Sequence, residues 1–184
     1  MRALAVWCQD WPVIAAGSAH DVDVHTPVIV VDKNRVLACS QTARAVGIRR
    51  GQRTREAQAL SPGLTVVKHN PSRDAIAFES VVANIEKLAA GVEIIRPGLC
   101  ALAARGPVGW FGGEEAAGEA IVEQVAVTCA VEAQIGIADG VWAAGVAARV
   151  GQLIAPGATS EFLAGLDLTV LDRPELTDVL RRLG

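Results

Sequence analysis

The sequence predicts an α+β fold in which a framework of strands and helices carries a small inserted subdomain. With the insert set aside, apolar runs typical of buried strands and stretches of helical periodicity follow one another in the order β-α-β-β-α-β. This order is the split βαβ arrangement of ferredoxin-like folds. The insert differs sharply in charge from the rest of the chain. We therefore expect a ferredoxin-like domain formed by residues 1–9 and 71–159, interrupted by an insert formed by residues 10–70.

The framework elements are predicted from their periodicity and their turn residues. Residues 2–7 form an apolar run with the length of a buried strand, which Pro12 is expected to stop. Two further apolar runs, 92–95 and 99–103, flank a Pro-Gly turn and predict a hairpin. Three helices are predicted over residues 71–90, 114–127 and 140–154, and one more strand over residues 131–137. The core-facing residues predicted for the first of these helices are Ile76, Val81, Val82, Ile85 and Leu88.

The insert is predicted to be a small basic unit with its own strands. Residues 28–31 and 35–39 flank Asp32-Lys33-Asn34 and predict a second hairpin. Two short helices, at 41–46 and 54–60, and a strand at 64–68 are expected to follow. From Arg35 to Arg73 there are eight basic residues and one acid, a local charge of +7; the remaining nine basic and nineteen acidic residues give −10. The molecule is therefore strongly polarised.

Composition narrows the class of protein. Of the 184 residues, 51% are hydrophobic and 20% are charged, which excludes a disordered or fibrous chain. Because the net charge is −3, any nucleic acid would have to be bound by a local cluster of basic residues. No apolar run is long enough for a membrane span, and the first residues do not form a complete signal peptide. We expect a soluble cytoplasmic protein with no membrane partner.

The four cysteines are widely spaced, and no Cys-x-x-Cys pair or neighbouring histidine gives a zinc-ligand pattern. They are expected to be reduced thiols that act as small hydrophobes. The sequence His20-Asp21-Val22-Asp23-Val24-His25 offers metal-binding side chains, but no fourth ligand can be identified, so we expect a polar loop or edge strand. Gly109-Trp110-Phe111-Gly112-Gly113 is interpreted as a turn and helix start, because the following glutamates would repel a phosphate.

Several segments together resemble the Y-family of translesion DNA polymerases. The run from residue 40 to 52, Ser-Gln-Thr-Ala-Arg-Ala-Val-Gly-Ile-Arg-Arg-Gly-Gln, and the run Ala-Gln-Ala-Leu-Ser-Pro-Gly-Leu at 57–64 are similar to that family's fingers pattern, Tyr-x-Ala-Arg-x-x-Gly-Val followed by a small helix and a strand. Residues 92–95 and the run Gln-Ile-Gly-Ile-Ala at 134–138 extend the similarity through the palm. The resemblance implies that residues 1–9 and 71–159 are palm-like and residues 10–70 fingers-like. It also implies that residues 160–184 are the start of a thumb-like region, in a chain that we expect to be truncated.

The resemblance implies a two-metal site, and this sequence lacks its ligands. In the family an Asp at the end of the first strand and an adjacent Asp-Glu pair in the hairpin hold two Mg²⁺ ions, which activate the primer oxygen and neutralise the triphosphate. The Asp-Glu pair falls on Gly98 and Leu99, and no acid occurs from residue 94 to 113. The first-strand Asp-x-Asp falls either on Trp7 and Gln9 or on Cys8 and Asp10. Asp10 and Glu93 are the acids nearest this position in the sequence, and a residual weak Mg²⁺ site that uses them is left open as an alternative.

The nucleotide contacts implied by the family are also depleted. The fingers Tyr falls on Gln41, the palm Lys falls on Gly145, and Arg44 alone matches. We therefore predict no catalytic residues, no metal and no cofactor, and a chain that is not an enzyme. The basic residues predicted to contact nucleic acid or phosphate are Arg44, Arg49, Arg50, Arg53 and Arg55. A solvated charged face or a surface for an acidic partner remain the alternatives for them.

A polymerase body with an emptied active site resembles the polymerase-like, non-catalytic member of the bacterial mutasome. That resemblance implies an adaptor induced by DNA damage in the SOS response, acting in mutagenesis, DNA repair and translesion synthesis. Its implied partners are an error-prone C-family DNA polymerase, a RecA-like accessory protein and the sliding clamp, mostly through regions beyond Gly184, with primer-template DNA as a further partner. The alternatives are a divergent active polymerase with a depleted metal site, and an α+β small-molecule-binding domain with no role on DNA.

Overall fold

The computed structural model describes residues 1–20, 26–171, 179, 180 and 182 and confirms the α+β class. Its strands are β1 (Arg2–Trp7), β2 (Val28–Asp32), β3 (Arg35–Cys39), β4 (Thr65–Lys68), β5 (Glu93–Arg96), β6 (Leu99–Ala103) and β7 (Gln134–Asp139). Its α-helices are α1 (Trp11–His20), α2 (Gln41–Ala45), α3 (Thr54–Leu60), α4 (Pro71–Glu86), α5 (Arg105–Phe111), α6 (Glu114–Cys129), α7 (Val141–Arg149) and α8 (Thr159–Ala164). A 3₁₀ helix spans Leu168–Leu171.

The larger sheet has the strand order β5-β6-β1-β7, and every neighbouring pair is antiparallel. Because β1 and β6 are central and β5 and β7 are the edges, this is the order of a split βαβ fold, as predicted. Successive residues of a strand point to opposite faces of the sheet. Leu4 and Val6 therefore pack on one face, and Ala3 and Ala5 pack on the other.

The two faces of this sheet are covered differently. On the first, large side chains from α1, α4 and α6 form the main core, including Phe78, Ile85, Ile121 and Val125. On the second, α7 lies on a surface made mostly of alanines. The closest approach is at Gly136 of β7, where a Cβ would lie 2.0 Å from the backbone nitrogen of Ala148. Only glycine fits at this position.

The smaller sheet has the order β3-β2-β4, with β2 antiparallel to β3 and parallel to β4. The β2–β3 hairpin is predicted correctly, but its connection has two residues and not three, because Asp32 belongs to β2 and pairs with Arg35. The two turn residues, Lys33 and Asn34, both have positive φ, as in a type I′ hairpin turn. A small core of its own lies beneath this sheet: Ile29, Val36, Cys39, Ala43, Ile48 and Ala57. The insert thus contains an independent set of buried residues.

The helix α1 lies in the predicted insert but packs beyond it. Its Trp11 and Ala15 are buried in the main core against α4. It also contacts β2 and β3 of the smaller sheet. The helix therefore connects the two units.

Three expectations need correction. The helices α1 and α5 were not predicted, because Pro12 was interpreted only as the end of the first strand and residues 109–113 as a turn. Residues 109–111 end a helix instead of forming a turn. Ile76 was placed on the core-facing side of α4, but it is 67% exposed; Asp74 and Phe78 lie on the buried side instead. Among the described residues, no helix is long and apolar enough to cross a membrane.

Candidate functional site

The end of β1 and the start of β6 meet, and this brings four of the predicted degenerate positions together. Trp7 is the register partner of Leu99, and the Cys8 N–H donates a hydrogen bond to the Gly98 carbonyl at 2.9 Å. Two separate sequence segments therefore converge at one point, as the resemblance predicted. None of these four side chains carries a carboxylate.

Trp7 and Cys8 point in opposite directions from β1. Trp7 packs on the alanine-rich face together with Leu99. Cys8 is buried in the main core, where burial raises the pKa of its thiol to about 12. Of the two alignments that the sequence leaves open, the one with Trp7 puts the strand residue on the same face as Leu99.

Gly98 lies in a tight place at the β5–β6 turn. Its φ is +85°, and a Cβ there would be 2.5 Å from the Cβ of Trp11 and 3.1 Å from the Cys8 carbonyl oxygen. Trp11 is itself fixed, because its Nε1 donates a hydrogen bond to the Asp74 carbonyl at 2.7 Å. Its ring also packs edge-on against Phe78, with 4.9 Å between the ring centroids. The space that an acidic side chain at residue 98 would need is occupied.

Leu99 is buried with only 7% exposure. Its two terminal methyl groups lie 3.5 and 3.8 Å from the position that a Cβ on Gly145 would take. Gly145 is the residue on which the family's palm lysine falls. An apolar contact between β6 and α7 therefore stands where a cation and an anion were expected from the resemblance.

Asp10, the acid nearest these positions in the sequence, is engaged by Arg44. The two side chains form an ion pair, and Arg44 Nη1 also donates to the Cys39 carbonyl at 2.9 Å. Asp10 has a φ of +51° and accepts a hydrogen bond from the Val13 N–H at 2.8 Å through its carbonyl, so it starts α1. The pair joins the start of α1 to α2, and sequence reasoning named both residues without predicting their contact.

Glu93, the other acid nearby in the sequence, lies further away. It is exposed on the edge strand β5 and pairs with Ala101, two residues along β6 from Leu99. In the part of the chain that the structure describes, no three His, Cys, Asp or Glu side chains are grouped to hold a metal ion. The residues present at the β1–β6 junction do not fit a pair of Mg²⁺ ions, which require several oxygen ligands.

A cleft of about 680 Å³ lies between the two units, beside α1. Four residues of the predicted site line it, namely Gln9, Asp10, Gln41 and Arg44. The other side of the cleft includes the exposed carboxylate of Glu132. Because Asp10 already neutralises Arg44, this cleft offers little net positive charge to a triphosphate.

The remaining predicted arginines lie on the exposed surface of the insert. Arg49, Arg50, Arg53 and Arg55 are all exposed. The Arg49 guanidinium donates to the carbonyls of Arg44 and Ile48 at 2.7 and 2.9 Å, and this contact holds it along α2. Arg53 precedes α3, and its N–H donates to Glu56 at 3.1 Å. The cationic groups therefore form an accessible basic surface.

Sequence reasoning missed the buried charge at Asp74. This residue is 2% exposed. The Nε and Nη2 of Arg73 donate hydrogen bonds to its Oδ1 at 2.9 and 2.6 Å. His69 Nε2 lies 3.3 Å from the other oxygen. The adjacent Arg73-Asp74 pair at the start of a helix was the only available signal. The Arg73–Asp74 ion pair lies in the first turn of α4, and the Asp74 carbonyl of the same turn accepts the hydrogen bond from Trp11.

Two patterns singled out in the sequence lie outside this site. The histidine and aspartate run begins at the end of α1, and residues 21–25 lie outside the described part of the chain. Trp110, at the end of α5, is 83% exposed.

The chain matches one family model and is similar in fold to solved DNA polymerase structures. A family model described as "IMS: impB/mucB/samB family" matches residues 18–149. The fold is similar to an insertion ternary complex of Dbh DNA polymerase, with 16% identity and a TM-score of 0.76, covering 92% of this chain and 53% of that one. It is also similar to DinB from Sulfolobus solfataricus, with 17% identity, a TM-score of 0.76 and coverage of 100% and 57%.

A further similar structure is a DinB family error-prone DNA polymerase from Sulfolobus solfataricus, with 18% identity and a TM-score of 0.77. The chain spans about half the length of these structures, since it covers 53–57% of each. No curated protein matches the sequence.

Proposed function

Because the chain belongs to the impB/mucB/samB family, whose model matches residues 18–149, we propose that it is a non-catalytic, Y-family polymerase-like protein of translesion DNA synthesis. The observation that carries this proposal is the β1–β6 junction. There Trp7, Gly98 and Leu99 stand at the positions where the family resemblance expects three carboxylates. Phosphoryl transfer by two metal ions depends on those ligands.

The packing around the junction supports the proposal beyond the sequence. Trp11 occupies the space beside Gly98, and Leu99 is packed over Gly145. Asp10, the acid nearest to these positions in the sequence, is engaged in an ion pair with Arg44. The apolar contacts are those of a packed core rather than of an open metal site.

The finer proposal is that the chain is an ImuB-like adaptor. In this role it would link an error-prone C-family polymerase to the sliding clamp and to a RecA-like accessory protein during damage-induced mutagenesis. The chain keeps a polymerase-like fold, but its β1–β6 junction is filled by apolar side chains. This combination fits a protein that uses the polymerase fold to bind partner proteins and not to catalyse. Mixing the purified chain with each of these three partner classes in size-exclusion chromatography would identify the contacts that residues 1–184 carry.

Contact with primer-template DNA is the second part of the proposal. The exposed guanidinium groups of Arg53 and Arg55 lie on a segment with a local charge of +7, which is sufficient for phosphate contacts. Binding should weaken steeply as salt is raised. Replacing both residues with Gln should lower the salt slope by about 2, whereas the control pair Lys87→Gln and Arg105→Gln, exposed but outside the insert, should leave it unchanged.

Primer extension tests the absence of catalysis directly. The purified protein is incubated with primer-template, the four deoxynucleotides and either Mg²⁺ or Mn²⁺, and a parallel reaction with an active polymerase shows that the substrate is competent. We expect no extended primer. Template-dependent extension that disappears in Asp10→Ala would refute the proposal and favour the alternative, a divergent active polymerase with a depleted metal site.

A further inference from the structure

A second groove, of about 570 Å³, lies on the far edge of the larger sheet between α6 and β7. Its floor is apolar and includes Val122, Ala133, Ile135 and Leu153. Gly118 of α6 faces this floor, and a Cβ there would lie 3.3 Å from the Ile135 side chain, so the helix approaches the strand closely. The groove shares no lining residue with the cleft beside α1.

The outer edge of β7 is only partly paired. At Ile137 the edge is covered, because its carbonyl accepts from the Ile154 N–H at 2.8 Å and its N–H donates to Gln152. At Asp139 the outward N–H donates to Thr159 Oγ1 at 3.0 Å. Alternate residues of a strand present their backbone groups to the same side. Ile135 therefore also presents its N–H and C=O outward, into the groove.

No residue that the structure describes pairs with this part of the edge. The covering segment reaches β7 only at Gln152, after Gly151, with a φ of +63°, has turned the chain away from α7. Residues Gln152–Ile154 run parallel to β7 beside Ile137 and stop short of Ile135. An unpaired edge next to an apolar floor is a site where an extended segment can add a strand.

The rim of the groove carries uncompensated negative charge. Glu115, Glu119 and Glu123 line it, each four residues from the next along α6. Like charges at this spacing repel one another. Within the described ranges none of the three forms an ion pair, whereas the adjacent Glu114 is held by Arg2 at 2.6 Å. The rim is therefore complementary to a cationic ligand.

The spacing of these charges fits an extended ligand. Four helical residues rise about 6 Å, and two residues of a strand span about 6.6 Å. Every second side chain of an added strand would thus lie beside one of the three glutamates. The side chains between them would face the apolar floor. We propose that this groove binds an extended peptide segment of a partner protein, with Lys or Arg alternating with apolar residues, which pairs through its backbone with Ile135.

The test uses a fluorescein-labelled eight-residue peptide of alternating lysine and valine, titrated with the protein and followed by fluorescence anisotropy at low salt. We expect saturable binding that weakens at least tenfold in the double variant Glu119→Gln, Glu123→Gln. The matched control is Glu79→Gln, Glu86→Gln, which removes the same charge from exposed positions on α4 and should bind as the wild type does.

Backbone pairing is tested separately, because charge alone can attract a basic peptide. A version of the peptide N-methylated at alternate residues should lose binding, and the unmodified peptide should slow hydrogen exchange at the Ile135 amide. The proposal fails if no binding is seen, if both double variants weaken binding equally, or if the N-methylated peptide binds as well as the unmodified one.

Discussion

Trp11 leaves no room for a side chain at Gly98, because a Cβ on Gly98 would lie 2.5 Å from the Cβ of Trp11. The two residues belong to different segments, α1 and the β5–β6 turn. Trp11 is anchored by its hydrogen bond to the Asp74 carbonyl, so it cannot easily move away. This contact explains why the β5–β6 turn has no room for the acid that the family resemblance expects there.

The first prediction concerns this contact. Gly98→Ala should destabilise the protein by about 3 kcal/mol, since it combines a left-handed backbone with overpacking against Trp11. The matched control is Gly91→Ala, which shares a positive φ of +79° but has nothing within 4 Å of the new Cβ. It should cost about 1 kcal/mol. Urea denaturation measures both, and equal losses would show that the contact with Trp11 contributes nothing.

The second prediction concerns the acid that is missing at residue 99. Leu99→Asp should lower the free energy of unfolding by about 4 kcal/mol, because it removes a packed side chain and buries a charge. Leu99→Ala, which leaves only a cavity, should cost less. On the same strand Ala103 is exposed, and Ala103→Asp should change stability by no more than about 0.5 kcal/mol.

If Leu99→Asp were as stable as the wild type, the junction would have room for an ionised group. That result would contradict a junction filled by packed apolar side chains. Denaturation at several pH values distinguishes a tolerated neutral acid from a tolerated carboxylate.

The third prediction concerns the ion pair of Asp10 and Arg44. A double-mutant cycle with Asp10→Asn and Arg44→Gln should give a coupling energy of about 1 kcal/mol, because both side chains are partly exposed, at 22% and 32%. The coupling should shrink as salt is raised. A coupling of zero would mean that the two side chains do not interact in solution.

The fourth prediction is a loss of stability in alkaline solution. Burial raises the pKa of both Cys8 and Cys100 from 9.0 to about 12. Between these values the unfolded chain releases protons that the folded chain keeps, so the free energy of unfolding should fall as pH rises above 9. In Cys8→Ala the slope of stability against pH should be shallower than in the wild type between pH 8 and 10. Identical slopes would contradict the burial of this thiol.

The sequence was sufficient to predict elements that local patterns determine. The strands β1 and β6, the hairpin of β2 and β3, and the helix α3 appear close to their predicted bounds, because alternation, short apolar runs and turn residues act within a few residues. The strands β1 and β6, which carry the positions of the expected metal ligands, are also neighbours, as the strand order of a split βαβ fold requires.

The helices that were missed depend on packing and position. Pro12 is the second residue of α1, and Pro107 is the third residue of α5; in the first turn a missing N–H costs nothing. From the sequence, Pro12 was expected only to end the first strand, and no element was predicted for the residues around Pro107. The burial of Trp11 and Pro107 shows that tertiary contacts stabilise these weak helix formers.

The contacts that define the candidate site were not predictable from spacing. Asp10 and Arg44 are 34 residues apart, and Trp11 and Gly98 are separated by most of the insert and by α4. Each pair depends on how the smaller unit is seated on the larger one. No local pattern in the sequence encodes that arrangement.

The alanine-lined contact of α7 with the larger sheet has a mechanical consequence. Gly136 and Ala148 bring two backbones into direct contact, so no long side chain between them can change its rotamer and absorb a displacement. The helix and the sheet must then move as one rigid body. Trp142 on the outer side of α7 is 52% exposed. A partner that displaced α7 from this side would therefore displace β7 and β1 with it.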